Sequence, residues 1–306
     1  MPLARTLLLR ASESARLRDL FQRRGLARAA VTRFMPGETL DAALEALSGI
    51  GAAGLGGVLT HLGENLRDTG EADAVLAHYL EVLDAIEAAG LDAHVSVKLT
   101  QLGLDAGSEQ AARRLAPLAE RAAAHGRPLW IDMEGSAYTE RTLALYRELL
   151  PQHPNLGVCL QAYLRRTDAD LQDLLARHGR IRLVKGAYQE PPAIAYPRKE
   201  DVDAAYLRQA VALVQDAAAG GAAHALGTHD LALLERIRAG APVAATGGWE
   251  LHMLYGIKPE AQRRLASQGV HVRVLVSYGE YWYPWFVRRL AERPANIMFV
   301  VKALIG

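Results

Sequence analysis

The stretch from His94 to Glu134, HVSVKLTQLGLDAGSEQAARRLAPLAERAAAHGRPLWIDME, decides the fold class. It begins with the β-branched run HVSVKLT (residues 94–100) and ends with a second apolar run, LWIDME (residues 129–134). Between the two runs, residues 107–125 are rich in alanine, leucine, arginine and glutamate, and they carry helical periodicity. A strand, a helix and a second strand in this order predict two parallel strands joined by a crossover helix.

The same alternation continues over most of the chain. Residues 70–90, 203–219 and 229–239 also have helical periodicity. Six further runs have the composition of strands: GVLTHL (57–62), LGVCLQA (156–162), IRLVKGA (181–187), AHALGTH (223–229), WELHML (249–254) and VHVRVLVS (270–277). Eight strand-helix units in about 250 residues favour a (βα)8 TIM barrel of the α/β class over a doubly wound sheet. We therefore predict a single barrel domain over residues 1–306, with residues 1–45 as an N-terminal helical extension.

Bulk composition limits the classes of function. The chain has 306 residues, of which 50% are hydrophobic, and its 35 lysines and arginines nearly balance 34 acidic residues, for a net charge of +1. This balance argues against a nucleic-acid partner, because no global positive field is present. Cys159 is the only cysteine, which excludes an intrachain disulfide and favours a reducing, cytoplasmic location. No apolar run reaches the roughly 18–20 residues of a membrane span, whereas peripheral membrane contact and the oligomeric state stay open.

The segment GIGAAG (Gly49–Gly54) matches the glycine spacing of dinucleotide-binding loops. Such a loop needs a strand before the glycines and a helix after them, so that the helix N-terminus faces the pyrophosphate. Here the helical ALEALS precedes the glycines and the strand GVLTHL follows them. The order favours a glycine-rich turn that enters the first barrel strand.

Polar side chains collect at the predicted C-terminal ends of the strands, where barrel enzymes hold their catalytic groups. The histidines show no close ligand spacing and the sequence has no second cysteine, so it does not indicate a metal site. Cys159 lies mid-strand, where a buried inert thiol is expected. Lysines and arginines therefore remain as the candidate chemical groups. The polar residues assigned to this rim are Glu64, Lys98, Asp132, Glu134, Gln161, Arg182, Lys185, Thr228, His229, Glu250 and His252.

The segment YGEYWYPWFVRRLAERPAN (residues 278–296) combines aromatic rings with two adjacent arginines. Pro284 and Pro294 predict a short helix between them. On that helix, Arg288 and Arg289 can hold a small carboxylate with planar guanidinium forks, and Glu292 lies four residues after Arg288 and can fix it. The alternative is an ordinary surface helix with an exposed ion pair.

Four motifs in the same order resemble the proline dehydrogenase (proline oxidase) family, of the monofunctional bacterial type. They are RLVKGAY (182–188), GTHD (227–230), WELHMLYGI (249–257) and RRLAERPAN (288–296), and the resemblance covers roughly residues 57–300. It implies a distorted (βα)8 barrel that binds FAD, oxidises L-proline to Δ1-pyrroline-5-carboxylate and passes electrons to a membrane quinone.

The resemblance also implies roles for single residues. Arg288 and Arg289 resemble the clamp for the substrate carboxylate, with Lys98 as a third cation, Asp132 in the substrate pocket, Glu292 orienting Arg288, and Glu64 closing the site. Leu183, Tyr188 and the positions of Leu275 and Tyr278 resemble the substrate wall. The FAD contacts implied are Gln161, Arg182, Lys185, Gly186, Thr228 and His229.

Three positions depart from the family pattern: Leu275 where an aromatic residue is usual, Asp230 where asparagine is usual, and His252 where glutamine is common. Leu275 keeps an apolar wall but loses a flat face, so proline affinity falls or 4-hydroxyproline is better tolerated, with Tyr278 as the residue that compensates. Two other functions stay open. One is a lysine-dependent aldolase that uses Lys98 or Lys185; the other is a non-catalytic paralog that binds an imino acid.

Overall fold

Eight parallel strands close into a barrel in the computed structural model, which describes residues 33–63, 69–240 and 248–282. The strands follow one another around the barrel in chain order, and β8 pairs with β1 to close it. The predicted α/β barrel is thus confirmed. Of the predicted N-terminal extension, residues 1–32 lie outside the described residues.

All eight strands predicted from the sequence form. Their bounds are β1 Gly56–His61, β2 Ala93–Val97, β3 Leu129–Ile131, β4 Leu156–Gln161, β5 Arg180–Val184, β6 His224–Gly227, β7 Trp249–Leu254 and β8 Val272–Tyr278. Several predicted runs extended beyond the strand at its C-terminal end. The extra residues, among them Lys98 and Asp132, belong to the loops that carry the candidate site.

Helices follow or precede these strands on the outside of the barrel. They are α1 Leu40–Ala52, α2 Thr69–Ala88, α3 Ser108–Ala124, α4 Ser136–Leu149, α5 Thr167–Ala176, α6 Lys199–Ala218, α7 Leu231–Gly240 and α8 Pro259–Ser267. The four helical segments predicted from periodicity correspond to α2, α3, α6 and α7. Within the described part of the chain, no helix is both long enough and apolar enough to cross a membrane.

The glycine-rich segment before β1 is the end of a helix. α1 runs through Gly49 and Gly51 to Ala52, and Gly54 then turns the chain with a φ of +73°, which glycine adopts without strain. The strand follows the glycines, as the sequence predicted, so no helix N-terminus faces this turn. The segment therefore lacks the geometry of a dinucleotide-binding loop.

The strands separate two packed regions. Val58, Trp130 and Ala225 form one cluster with Leu275 against it. These residues come from β1, β3, β6 and β8, which are mostly not neighbours, so they meet in the barrel interior. The larger cluster includes side chains packed between the barrel and its helices. Since successive strand residues point to opposite faces, each interior residue has neighbours in the strand that face the helices.

Candidate active site

Arg182 is the centre of a charged group at the C-terminal half of the barrel interior. Its Nη2 donates to Asp132 and to Ser96 Oγ, the latter at 2.9 Å, and Ser96 Oγ donates to Asp132 Oδ1 at 2.8 Å. Lys98 Nζ lies 3.7 Å from Asp132 Oδ2. Interior positions in β2, after β3 and in β5 thus bring together residues that are up to 86 positions apart. The sequence predicted Arg182, Asp132 and Lys98 but missed Ser96.

The charges in this group favour ionised Asp132. Burial would raise the pKa of Asp132, but the charges of Arg182 and Lys98 and the hydrogen bond from Ser96 together hold it below its usual range. The Arg182 side chain is only 3% exposed, and its Nη1 has no nitrogen or oxygen partner among the described residues. A buried guanidinium with an unused donor fits a bound group that accepts hydrogen bonds.

Glu134 and Gln161 fasten the loops around this group. The Glu134 carboxylate accepts from the backbone N–H and the hydroxyl of Thr100, at 3.2 and 2.7 Å. Gln161, the last residue of β4, donates from Nε2 to the Glu134 carbonyl at 3.0 Å. Glu134 therefore joins the loop after β2 to that after β3, which makes it a structural member of the rim.

Lys185 and Asp230 form an ion pair just beyond the C-terminal ends of β5 and β6. Lys185 Nζ donates to Asp203 Oδ1 at 2.6 Å and to Asp230 Oδ2 at 3.0 Å. Asp230 Oδ1 also accepts from the Leu233 N–H at the start of α7. The extra negative charge of Asp230 is thus matched by a lysine and by a helix N-terminus, the two partners that stabilise an N-cap carboxylate.

Gly186, Thr228 and His229 also lie just beyond the C-terminal ends of these two strands. Gly186 has a φ of +112°, and a Cβ there would lie 2.3 Å from the Tyr163 ring, so only glycine fits. Thr228 Oγ1 accepts from the Asp230 N–H at 3.1 Å, which leaves its hydroxyl proton for another acceptor. His229 Nε2 accepts from the Leu254 N–H at 2.8 Å and ties this loop to the end of β7.

The four residues assigned to the substrate wall lie on different faces. Leu275 packs in the interior cluster, and Tyr188 is half-buried in the loop after β5. Leu183 neighbours Arg182 in β5 and therefore faces the helices, where it is fully buried. Tyr278 is three positions after Leu275 and also faces the helices, where its hydroxyl lies 2.6 Å from His78 Nε2 on α2. The structure does not bring Leu183 or Tyr278 to the interior.

Four predicted residues lie outside the described ranges. They are Glu64, Arg288, Arg289 and Glu292. The predicted carboxylate clamp and the closing contact between Glu64 and Arg288 therefore stay predictions. The helix predicted between Pro284 and Pro294 also lies outside the described residues.

A cluster of His61, His78 and Tyr278 was missed by the sequence reasoning. The His61 ring lies 4.7 Å from the His78 ring and 5.1 Å from the Tyr278 ring, between centroids. His61 Nδ1 is buried and has no hydrogen-bond partner within the described segments. Burial, with smaller contributions from the charges of His78 and Lys98, lowers the pKa of His61 to about 4.

This lowered pKa predicts a loss of stability in mild acid. The unfolded chain binds a proton at His61 below about pH 6.5, whereas the folded chain resists it down to about pH 4. His61 therefore contributes stability above pH 6.5 that is progressively lost as the pH falls toward 4. The free energy of unfolding should fall between pH 7 and pH 5 in the wild type. In the His61→Gln variant, we expect this fall to be smaller by up to about 2 kcal/mol. Urea unfolding at the two pH values measures this; parallel losses in both proteins would contradict it.

Glu250 and His252 lie deeper in the barrel than the rim position predicted for them. Glu250 is the second residue of β7, so its carboxylate is near the N-terminal end of the barrel, where Oε1 accepts from Arg273 Nε at 2.7 Å. Arg273 Nη1 also donates to Asp92 Oδ1, before β2, at 2.8 Å. His252 Nε2 lies 3.1 Å from Glu250 Oε2. A strand's polar residues do not all sit at its end, and this assignment to the rim was wrong.

His94, Glu250 and His252 bring metal-ligating atoms within 4.8 Å of one another. No sequence motif indicates this cluster, because His94 and Glu250 are distant in the chain. The carboxylate, however, is already paired with Arg273, and Trp130 Nε1 donates to His94 Nδ1 at 3.3 Å. Indole N–H only donates, so that histidine nitrogen already accepts a hydrogen bond. A guanidinium beside the carboxylate disfavours a second cation there.

Comparison with known proteins gives a family model and several relatives. The model of proline dehydrogenase matches residues 43–302. Proline dehydrogenase 1 of Bacillus subtilis is 35% identical over 276 residues, which cover 89% of this chain and 90% of that protein. The proline dehydrogenase of Deinococcus radiodurans is 34% identical over 284 residues, or 89% of each chain.

Solved structures give the same fold. Proline utilization A (PutA) from Bdellovibrio bacteriovorus, inactivated by N-propargylglycine, superposes with a TM-score of 0.78 over 87% of this chain, at 23% identity. This chain spans only 33% of that PutA chain, and at this identity the likeness concerns the fold. The match of the family model and the curated relatives extends over most of the sequence. The chain therefore belongs to the proline dehydrogenase family.

Proposed function

We propose that this chain oxidises L-proline to Δ1-pyrroline-5-carboxylate with a bound FAD. The observation that carries the proposal is the buried Arg182–Asp132–Lys98 group inside the barrel of a chain that belongs to the proline dehydrogenase family. In this reaction the carbon next to nitrogen gives up a hydride and the nitrogen gives up a proton, so a C=N bond forms. The electron pair goes to the flavin, whose isoalloxazine ring supplies a two-electron acceptor.

Six residues would hold the FAD in this proposal: Gln161, Arg182, Lys185, Gly186, Thr228 and His229. The unused Nη1 of Arg182 supports the assignment, because a cationic donor in a buried site stabilises negative charge that develops nearby. The hydroxyl proton of Thr228 supports it too. Lys185 is already held by Asp203 and Asp230, so phosphate groups would share this lysine with two carboxylates.

Lys98 and Asp132 would act on the substrate side. Lys98 supplies a positive charge for the proline carboxylate, together with Arg288 and Arg289, whose assignment rests on the sequence. Asp132 pairs with both Lys98 and Arg182, so it fixes the separation of the two cations. When these cations hold the carboxylate of the substrate proline, they orient the proline ring before hydride transfer. Glu292 would orient Arg288, and Glu64 would close the site against water.

The substrate wall in this proposal consists of Leu275 and Tyr188. Leu275 supplies an apolar surface from the interior cluster. The hydroxyl of Tyr278 already contacts His78 on the helix side, so the idea that Tyr278 compensates for Leu275 finds no support. The proposed wall accordingly leaves out Tyr278 and Leu183.

Leu275 gives a prediction about substrate choice. Leucine fills less of the pocket than tyrosine and leaves room for a ring substituent. We expect Leu275→Tyr to improve kcat/KM for L-proline relative to 4-hydroxy-L-proline by about tenfold, since one packed group discriminates by about 1–3 kcal/mol. Leu275→Met, which keeps an aliphatic side chain of similar volume, is the matched control. Steady-state kinetics with both substrates measures the ratio, and an unchanged ratio in the tyrosine variant contradicts the assignment.

The proposal extends to a quinone as electron acceptor, and to a cytoplasmic protein that meets the inner face of a membrane. Resemblance to the family is its support. A protein that binds the bilayer surface reaches quinone dissolved in that bilayer. The rate of quinone reduction should therefore be higher with quinone in lipid vesicles than with the same quinone in detergent. Equal rates in the two preparations would remove the membrane part of the proposal.

An anaerobic absorption spectrum of the purified protein tests the main proposal. Flavin bands near 450 nm that bleach when L-proline is added are expected. Flavin that stays oxidised points to a protein that binds an imino acid without turnover. If the protein contains no flavin even after reconstitution with FAD, this result contradicts the proposal and favours the aldolase.

The aldolase alternative has less support from the geometry. A lysine that forms a Schiff base must present a free amine. Lys98 is paired with Asp132, and Lys185 with both Asp203 and Asp230, so neither presents one. Borohydride trapping with a keto substrate distinguishes the two reactions directly.

A further inference from the structure

Trp130 connects two polar groups inside the barrel. On one side, the Arg182 guanidinium lies over its ring, with 5.3 Å from Cζ to the ring centroid. On the other, its Nε1 donates to His94 Nδ1 and its ring meets His252 at 5.5 Å between centroids and an interplanar angle of 81°. Trp130 is 1% exposed, so water competes with none of these contacts. We propose that Trp130, fixed by His94 and His252, is a positioning residue that holds the Arg182 guanidinium beside the flavin.

Arg182 needs such a support because its hydrogen bonds come from one nitrogen. Nη2 donates to both Ser96 and Asp132, while Nη1 has no nitrogen or oxygen partner in the described ranges. A guanidinium that is attached through its own side chain and hydrogen-bonded at one terminal nitrogen can still tilt about the line between these two attachments. The indole face limits this motion, because guanidinium groups stack on aromatic rings. Trp130 therefore sets the direction in which the unused Nη1 points.

Trp130 is itself fixed from the N-terminal end of the barrel. Asp92 holds Arg273, Arg273 holds Glu250, and Glu250 accepts from His252, whose ring contacts the indole. This series of contacts, which we call the interior column, ends at Arg182. It links one end of the barrel to the candidate site through the residue before β2 and side chains of β3, β5, β7 and β8.

The two histidines that hold Trp130 are neutral near pH 7. Burial lowers the pKa of His252, and burial together with the charge of Arg273 lowers the pKa of His94 well below its usual value. The charged groups that face them are Glu250, Arg273, Arg182 and Arg180. Neutral imidazoles add no positive charge beside the indole, so its face remains attractive to Arg182.

The test is the two-electron midpoint potential of the bound flavin, and it rests on the proposed function. If Arg182 stabilises the reduced flavin, its displacement favours the oxidised form. We expect Trp130→Leu to weaken the preference for the reduced flavin about tenfold, which lowers the potential by about 30 mV. Trp130→Phe keeps a ring face and loses only the bond to His94. Its shift should be no more than about twofold, or about 9 mV.

Two further variants separate positioning from packing. Tyr146→Leu removes a fully buried ring in α4 that does not contact Arg182, so it should lower the unfolding midpoint in urea and leave the potential unchanged. His252→Gln keeps a donor for Glu250 but removes the ring against Trp130. It should shift the potential in the direction of Trp130→Leu by a smaller amount, and it serves if Trp130→Leu does not fold.

The outcomes distinguish this inference from the proposed function. Wild-type protein that takes up no FAD, or whose flavin L-proline does not reduce, overturns both. Wild-type flavin that proline bleaches, with potentials in Trp130→Leu and His252→Gln equal to the wild type, overturns the inference alone. Equal shifts in Trp130→Leu and Tyr146→Leu also overturn it, because loss of packing alone would then suffice. A shift that follows the order leucine, then phenylalanine, at position 130 supports it.

Discussion

The Arg182→Met variant should lose about 10²- to 10³-fold in proline turnover, because it removes a preorganised positive charge from the proposed flavin site. It should also lose about 3 kcal/mol of unfolding free energy, since Asp132 then loses its nearest cation and keeps only Ser96 and the more distant Lys98 as partners. Lys98, 3.7 Å from Asp132, keeps the loss at the lower end of the usual range. Turnover with a soluble dye as acceptor and urea unfolding measure the two effects.

A double-mutant cycle with Asp132→Asn isolates the pair. The Arg182→Met/Asp132→Asn protein loses both charges of the pair together, so its stability loss should be about 2–3 kcal/mol smaller than the sum of the two single losses. Turnover should not recover, because the cation near the flavin is still missing. Arg182→Lys keeps a charge without the planar fork and controls for charge alone. Additive stability losses would show that the pair does not couple.

Much of the fold could be predicted because its signals are local. A strand run such as WELHML has β-branched or apolar residues over the length of one strand, and β7 occupies residues 249–254 as predicted. Turn residues and helical periodicity separate these runs. The errors lie at the C-terminal strand ends, where the loops continue the alternation of the strand, as after Val97 and after Ile131.

The site could be predicted in part. Motif resemblance identified Lys98, Asp132 and Arg182, and the barrel brings them together. The faces of β5 and β8 could also have been predicted by counting, because Leu183 has opposite parity to Arg182 and Tyr278 to Leu275. Motif resemblance carried no such information, so both were assigned to the substrate wall.

Other contacts depend on the closure of the barrel and have no sequence signal. The meeting of His61 on β1, His78 on α2 and Tyr278 on β8 requires β8 to pair with β1. The position of Trp130 between His94, His252 and Arg182 requires four strands to face one another. Periodicity gives the face of a strand but not the register between strands, and these contacts depend on register.

Glu250 joins Arg273 to His252 in the interior column, and its replacement should lower the free energy of unfolding. Burial would raise the pKa of Glu250, but the hydrogen bond from His252 and the charge of Arg273, joined in acid by the charges of His94 and His252 once these are protonated, hold it well below its usual range. We expect Glu250→Gln to lose about 3 kcal/mol of unfolding free energy at pH 7, because it leaves Arg273 in a site that is only 14% exposed. Asp92 remains as a partner for that arginine and limits the loss.

The sign of the pH effect tests the same assignment. A carboxylate with a lowered folded pKa contributes stability above its unfolded pKa, near 4.3, and this contribution is lost as the pH falls through the folded value. The difference between wild type and Glu250→Gln should therefore be largest near neutral pH and shrink below about pH 4. Glu109→Gln is the matched control, since Glu109 pairs with Arg113 on the surface and is 83% exposed. Surface pairs contribute less than about 1 kcal/mol, so urea unfolding should separate the two variants clearly; similar losses in both would show that Arg273 does not depend on Glu250.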